Sequence, residues 1–274
     1  MEKSRELRIA FIGAGQMATA LAEGLLRAGV ITASQITAAD PDPEARSRFA
    51  RATKATVYAQ NSDAISGADV VILAVKPRLI PEVLRELASG LADKLVISLA
   101  AGVSTGSILQ ALGPAARVVR VMPNTAVRIL QGTSVFVPAG GVTEQDVEMV
   151  RRLFGAVGVC IALEEGFLDA VTALSGSGPA LVYLLVEAMI DAGVLVGLPR
   201  PTARTLVLQT FRGAVEMLRE TGGHPAELAA QVTSPGGTTI AALKVLEERG
   251  VRGALMAAVE AAARRAAELR SREN

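Results

Sequence analysis

Three glycine-bearing turns in this chain open helices, and two of them have patterns that bind anions through the backbone. Gly13, Gly15 and Ala18 form a G-x-G-x-x-A run directly after a short apolar stretch, and Asp40 closes the next one. In that setting Gly13 permits the turn and Gly15 lets the backbone approach a pyrophosphate. The following helix offers free N–H groups and the positive end of its dipole. The chemistry is dinucleotide binding, with an ordinary glycine turn as the bland alternative. Asp40 could accept hydrogen bonds from a ribose diol, which favours NAD(H) and repels a 2′-phosphate, or it could simply cap the turn before Pro41. A second turn, Ser234-Pro235-Gly236-Gly237-Thr238-Thr239, runs into an amphipathic helix and presents a seat for a carboxylate, unless Thr238 or Thr239 serves only as a helix cap. The third, SGSGPA (175–180), opens a long apolar helix and is matched by MPNTA (122–126) after a strand. Lys76-Pro77 ends another strand, where open α/β sheets bind ligands, although a solvated loop lysine would look the same; Asn61 lies in a turn that could lean over an adenosine.

These turns need a frame. LRIAFI (7–12), ITAAD (36–40), residues 56–58, DVVILAV (69–75), LVISLA (95–100), RVVRVM (117–122) and TSVFVP (133–138) read as strands, with helical patterns between several of them. Continuous apolar runs are those of strands covered on both faces. The expected fold is α/β: a Rossmann-type dinucleotide-binding domain with a mostly parallel sheet, followed by an all-α domain. Strand signals stop near Gly166, so the division is expected at 1–165 and 166–274.

Composition excludes several other functions. Lys and Arg total 28 against 27 Asp and Glu, and only 3% of residues are aromatic, which leaves neither field nor stacking surface for a nucleic acid. Cys160 and His224 each stand alone, so no metal cluster is expected and no intrachain disulfide can form. His224, in a TGGHP turn, reads as surface structure. The N-terminal apolar run is too short for an export signal, and a cytoplasmic protein is expected. The stretch from Gly176 to Pro199 is apolar enough to invite a membrane reading, but Glu187 and Asp191 share one face in its middle, and a buried soluble helix fits better. Arg204 or Arg212 could pair with them.

GAGQMA, AVKP, MPNTA, SGSGPA and above all VTSPGGTTIAALKVLE, in this order between Arg8 and Leu269, resemble the pyrroline-5-carboxylate reductase family. The resemblance implies reduction of 1-pyrroline-5-carboxylate to L-proline with NADPH or NADH. It implies that Ile12, Gly13, Ala14, Gly15, Gln16, Met17, Asp40, Asn61, Ala74, Val75, Lys76, Pro77 and Ala101 line the cofactor. Ser234, Gly237, Thr238 and Thr239 would hold the substrate, with Thr239 as the catalytic hydroxyl near the ring nitrogen and Glu165 near the substrate amine. It also implies a helical dimerisation domain, with dimers assembled into a decamer. Ala126 stands where the family usually has proline, and Gln231 where Asn is frequent. Asp40 replaces a frequent small hydroxylated residue, which leaves NADH against NADPH open.

A cyclic imine is already electrophilic, so positioning and one hydrogen bond to nitrogen suffice for hydride transfer, and the scarcity of histidine is no obstacle. Two other readings compete. A β-hydroxyacid dehydrogenase would need a lysine after the domain boundary, yet none occurs between Lys94 and Lys244. A catalytically silent dinucleotide sensor stays open on sequence alone, although SPGGTT with both threonines argues for an intact substrate seat.

Overall fold

Alternation within short apolar strands places the core. In β1 (Ile9–Ile12) the side chains of Ile9 and Phe11 enter one hydrophobic cluster and those of Ala10 and Ile12 the other. A strand buried on both faces must be apolar at every position, as β1, β4 (Val70–Leu73) and β5 (Leu95–Ser98) nearly are. With β2 (Ile36–Ala39), β3 (Thr56–Tyr58), β6 (Arg117–Met122), β7 (Gly132–Gly140) and β8 (Gly158–Ala162) they form one sheet of order β3-β2-β1-β4-β5-β6-β7-β8. β1 to β6 are parallel, β7 runs antiparallel to β6, and β8 is parallel to β7. In register, Ile12 lies opposite both Ala39 and Leu73, so the exits of β1, β2 and β4 are level.

The computed structural model describes residues 6–273, with side chains through residue 270. The chain divides into two units. The first runs to Gly176 and includes the end of the chain from Ala262; the second is Ser177–Ala261. The first unit extends past the 165/166 division read from composition, because the turns after β8 stay packed on the sheet: Leu168 and Ala173 are fully buried.

In the first unit α1 (Gln16–Arg27), α2 (Pro43–Thr53) and α6 (Glu144–Gly155) cover one face, and α3 (Asn61–Ile65), α4 (Ile80–Leu91) and α5 (Thr105–Leu112) the other. α7 (Leu168–Val171) leads into a π-helical turn, Thr172–Gly176. The expected strands are present and one was missed. β8 is short, and Val159 and Ile161 are about half exposed at its edge, so its sequence has no buried alternation to announce it.

The second unit is helical: α8 (Gly178–Leu195), α9 (Arg200–Thr221), α10 (Pro225–Gln231), α11 (Thr238–Glu248) and the first part of α12 (Val251–Glu273). α8 and α9 approach closely, since a Cβ on Gly193 would lie 2.8 Å from Cβ of Ala203. The expectation of a buried α8 does not hold within one chain. None of its residues is buried, and Tyr183, Leu184 and Leu195 are largely exposed. Among the described residues one helical stretch, Glu165–Leu195, is long and apolar enough to cross a membrane by length and composition. Asp191 is paired with Arg200 at 2.7 Å rather than with Arg204 or Arg212, because Arg200 begins the helix that returns past it; Glu187 shares a shallow cleft with Arg200 and Arg204.

Phe49 of α2 is fully buried, its ring 5.7 Å from that of Phe11 on β1. Phe49→Ala is expected to destabilise the protein by about 3–5 kcal/mol in urea unfolding. A loss below about 1 kcal/mol would mean that this face is not close-packed.

Candidate active site

Gly13 is fixed from two sides. Its N–H donates to the Ala39 carbonyl at 2.8 Å, its φ is +96°, and a Cβ would lie 2.8 Å from the Ala74 carbonyl oxygen. Both the left-handed backbone and the close crossing require glycine. Ala74 N–H in turn donates to the Ile12 carbonyl at 2.8 Å, so the exits of β1 and β4 are tied together. Gly15 differs: a Cβ there would meet nothing within 4 Å. It is the N-cap of α1 and provides no side-chain cap, and the first turn carries no acidic residue. By contrast Asp42, Ser104 and Thr143 cap α2, α5 and α6 with side chains. α1 therefore presents bare amides and the positive end of its dipole to open space, which fits a dinucleotide pyrophosphate. A cleft of about 370 Å³ opens beside this turn, lined by Ala14, Gly15, Gln16 and Thr19 with the guanidinium groups of Arg48 and Arg128.

Asp40 follows β2 as expected, but its carboxylate already has work. Oδ2 accepts from Ala14 N–H at 2.8 Å and Oδ1 from Asp42 N–H at 2.9 Å. Each carboxylate oxygen keeps a further lone pair for a ribose hydroxyl. The basic residues nearby are committed: Arg46 donates to the carbonyls of Asp40 and Pro41, and Arg48 lies 3.7 Å from Asp42 and 3.4 Å from Glu44. Asn61 begins α3, and its side-chain amide donates to Glu86 of α4 at 2.8 Å. Lys76 caps the 3-10 turn Pro77–Leu79, which carries the chain from the exit of β4 into α4.

The turn after β5 holds Ala101 and is gripped from two directions. Thr105 donates its N–H at 2.8 Å and its hydroxyl at 2.6 Å to the two oxygens of Glu165, and Arg120 donates to the same carboxylate at 3.0 Å. Burial pushes the Glu165 carboxyl up, but the hydrogen bonds from Thr105 and Arg120 outweigh it and hold the group below the usual carboxylate range. Arg120 is buried on β6, and stripping its partner would strand a charge at a cost of about 3–5 kcal/mol. Across the turn, Gly102 has φ +82°, and a Cβ there would lie 3.4 Å from the backbone nitrogen of Arg270 on α12. Arg270 also pairs with Asp169 at 3.1 Å. Thr105 and Arg120 escaped the reading of the sequence. The one available signal was a charge inside the apolar strand RVVRVM.

Asn124 joins two motifs that the sequence left separate. It is buried, its amide donates to the Ser175 carbonyl in the π turn, and its oxygen accepts from Ala126 and Thr133 N–H groups. The N–H of Ala126 is in use here, and a proline would lack it. At the same place a Cβ on Gly176 would lie 2.7 Å from the flexible end of the Met122 side chain, which can shift to make room.

In the second unit Gly237 N–H donates to the Ser234 carbonyl at 3.0 Å and Gly236 has φ +68°, which closes a tight turn. The Ser234 hydroxyl occupies the place a Gly237 Cβ would take. Gly237 caps α11 with no side-chain hydrogen bond, and no acidic residue sits in the first turn. Neither Thr238 nor Thr239 acts as the cap, so the amides at this helix start are as bare as those of α1. His224 caps α10 through Nδ1, which accepts from Ala226 N–H, a structural role as expected. Cys160 offers no ready nucleophile, because burial pushes its thiol up to about 11.

Residues 165–269 match the family model described as pyrroline-5-carboxylate reductase dimerisation, and residues 8–102 match one described as NADP oxidoreductase, coenzyme F420-dependent. A pyrroline-5-carboxylate reductase of Pisum sativum is 44% identical over 95% of this chain and 95% of its own length. One from Methanosarcina acetivorans is 43% identical over 96% of this chain and 97% of its own. The crystal structure of the Plasmodium falciparum enzyme with NADP bound superposes with a TM-score of 0.89 at 32% identity, covering 96% of this chain and 98% of that one.

Asp40→Ser removes the charge nearest the expected ribose. Calorimetric titration is expected to show affinity for NADP+ relative to NAD+ rising by about tenfold. An unmoved ratio would assign the discrimination to another residue.

Proposed function

The chain belongs to the pyrroline-5-carboxylate reductase family, and from that premise we propose how its residues divide the work of reducing 1-pyrroline-5-carboxylate to L-proline with NAD(P)H. The reaction moves a hydride to the imine carbon and a proton to the ring nitrogen. The reduced nicotinamide supplies the hydride; the protein binds, orients and holds the hydrogen bond to nitrogen. Neither a β-hydroxyacid dehydrogenase nor a silent sensor is favoured over this activity.

The cofactor set is Ile12 to Met17 for the pyrophosphate, Asp40 for the ribose, and Asn61, Ala74 to Pro77 and Ala101 around the rest. Its support is the tied exits of β1 and β4 with the bare amides of α1 between open space and strand. The substrate set is Ser234, Gly237, Thr238 and Thr239. The observation that carries it is the start of α11, where a glycine turn leaves helix amides without a side-chain cap, as a carboxylate requires. The Thr239 hydroxyl then orients the ring nitrogen. Glu165 completes the substrate set near the amine: its oxygens accept three hydrogen bonds from Thr105 and Arg120, and Oε2 keeps a lone pair for a further donor.

Residues 165–269 serve dimerisation. The exposed apolar side chains of α8 and α9, Leu184, Leu206 and Val215 among them, are the surface a second copy would cover, with a decamer as the larger assembly. The protein is proposed to work in the cytoplasm.

The test of function is oxidation of NADPH and of NADH in the presence of 1-pyrroline-5-carboxylate. Turnover with at least one is expected, and none with either, despite tight cofactor binding, would revive the sensor. Thr239→Ala is expected to lower kcat by at least about tenfold, roughly 1.4 kcal/mol of barrier, with cofactor affinity unmoved. Unchanged kinetics would remove Thr239 from the mechanism. Light scattering at micromolar concentration is expected to show a dimer or a larger species, and a stable monomer would contradict the interface.

A further inference from the structure

Two motifs of the sequence, MPNTA (122–126) and SGSGPA (175–180), take no part in the cofactor and substrate sets, yet the structure joins them at one place. Register fixes that place. Ile12 of β1 lies opposite Leu73 of β4, Leu73 opposite Ser98 of β5, and Ser98 opposite Arg120 of β6, so these four residues are level. β1, β4 and β5 end there, whereas β6 continues to Met122, two residues or about 7 Å further. The exits of β1, β4 and β5 form a floor, and the end of β6 stands above it as a wall. Asp40 follows β2, on the other side of β1. A dinucleotide with its pyrophosphate at α1 and its adenosine ribose on Asp40 must therefore carry its nicotinamide toward β5 and β6.

Asn124 follows the top of that wall and is buried. Its oxygen accepts from the Ala126 and Thr133 N–H groups, which ties the side chain to its own loop and to the start of β7, and its amide donates to the Ser175 carbonyl at 3.1 Å. The segment that receives this last bond, Thr172–Gly176, is the π-helical turn. Such turns are rare and hold more residues than α-helical spacing needs, so something must fix them. Here three side chains do. The Thr172 hydroxyl donates to the Leu168 carbonyl at 2.7 Å, the Ser175 hydroxyl donates to the Val171 carbonyl at 2.9 Å, and Asn124 supplies the third bond from outside the segment. A Cβ on Gly176 would lie 2.7 Å from the Met122 side chain, so the turn rests on the end of β6.

We propose that Asn124 is a positioning residue for hydride transfer: it keeps residues 172–176 in their π form on the end of β6, and that turn is the wall against which the reduced nicotinamide is held. Without the Asn124 donor the Ser175 carbonyl loses its tie. A slip of one residue toward α-helical spacing would then rotate the segment by about 100° and withdraw the wall. The effect belongs to the nicotinamide end and the chemical step, while the adenosine half is held beyond β1.

The inference rests on the cofactor reading given under Proposed function, and the test separates the two. Asn124→Asp keeps the shape and both accepted hydrogen bonds, but an ionised carboxylate cannot donate to Ser175. The full-length parent and variant are compared in kcat for 1-pyrroline-5-carboxylate at saturating NADPH or NADH, in the change of reduced-nicotinamide fluorescence on binding, and in Kd for ADP-ribose and its 2′-phosphate, fragments that lack the nicotinamide. Asn124→Asp is expected to lower kcat by at least about tenfold and to lose about half or more of the fluorescence change, while the fragment Kd stays within about twofold of the parent. If Asn124→Asp does not fold, Ser175→Ala, which removes the tie made within the turn, decides by the same measures, with kcat expected to fall by about threefold or more. Unchanged kcat, or an unchanged fluorescence signal, overturns the proposal. So does a fragment Kd that rises as far as that of the whole dinucleotide, since that places the effect at the adenosine half. Should the parent bind dinucleotide yet fail to reduce the imine, the functional reading falls, and the fluorescence and fragment measurements still decide the role of Asn124.

Discussion

Backbone N–H groups left without a side-chain partner at a helix start are costly to keep; α1, α8, α9 and α11 all begin this way, and at two of them, α1 and α11, the cap position is glycine. α1 and α11 both begin on glycine, both lack a side-chain cap, and neither has an acidic residue in its first turn. A capping serine or aspartate in place of glycine would stabilise each helix by a few tenths of a kcal/mol and would occupy its amides. The same chain caps α2, α5 and α6 in that way, so it does not lack the means. In the proposed function the bare ends receive ligands that bring their own oxygens, a pyrophosphate at one and a carboxylate at the other. Within each unit other features keep the amide cluster open. Gly13 is pressed against Ala74, Asp40 latches Ala14, and Ser234 fills the space that a larger residue at position 237 would need.

Much of this is local chemistry and was legible in the sequence. Glycine turns, strand periods and the helix after SPGGTT announce themselves within a dozen residues, because the backbone geometry they need is set by neighbours. The pairings that stayed hidden are those between distant positions. Nothing in VSTG, RVVRVM or EEGF indicates that Thr105, Arg120 and Glu165 meet, since side-chain contacts between elements depend on sheet order and helix placement. For the same reason the hydrogen bond from the Asn61 amide to Glu86 of α4 was not visible in the sequence. The antiparallel β7 was absorbed into a mostly parallel sheet, and β8 was not seen at all, its alternating side chains half in solvent.

α8 shows the opposite difficulty, a sequence signal that one chain does not satisfy. An 18-residue helix that is apolar apart from Glu187 and Asp191 reads as buried, yet in the single chain none of its residues is fully buried. Area of that kind is removed from water either by lipid or by protein. The pairing of Asp191 with Arg200 and the position of Glu187 near Arg204 put charge in the helix's second half, which suits an interface between proteins better than hydrocarbon. A family model for dimerisation covers the same residues. The stability of this unit is then inseparable from protein concentration, as for any fold whose core is completed by a second copy.

The end of the chain belongs to the beginning. Residues 262–273 group with the first unit, and Arg270 sits against Gly102 with its guanidinium on Asp169. Chains emerge from the ribosome N-terminus first, and early domains ordinarily close while later ones are still being made. Here the flank of the nucleotide-binding unit beside Gly102 is closed by residues that follow the whole helical segment Ser177–Ala261, so this unit is completed only after that segment has been made.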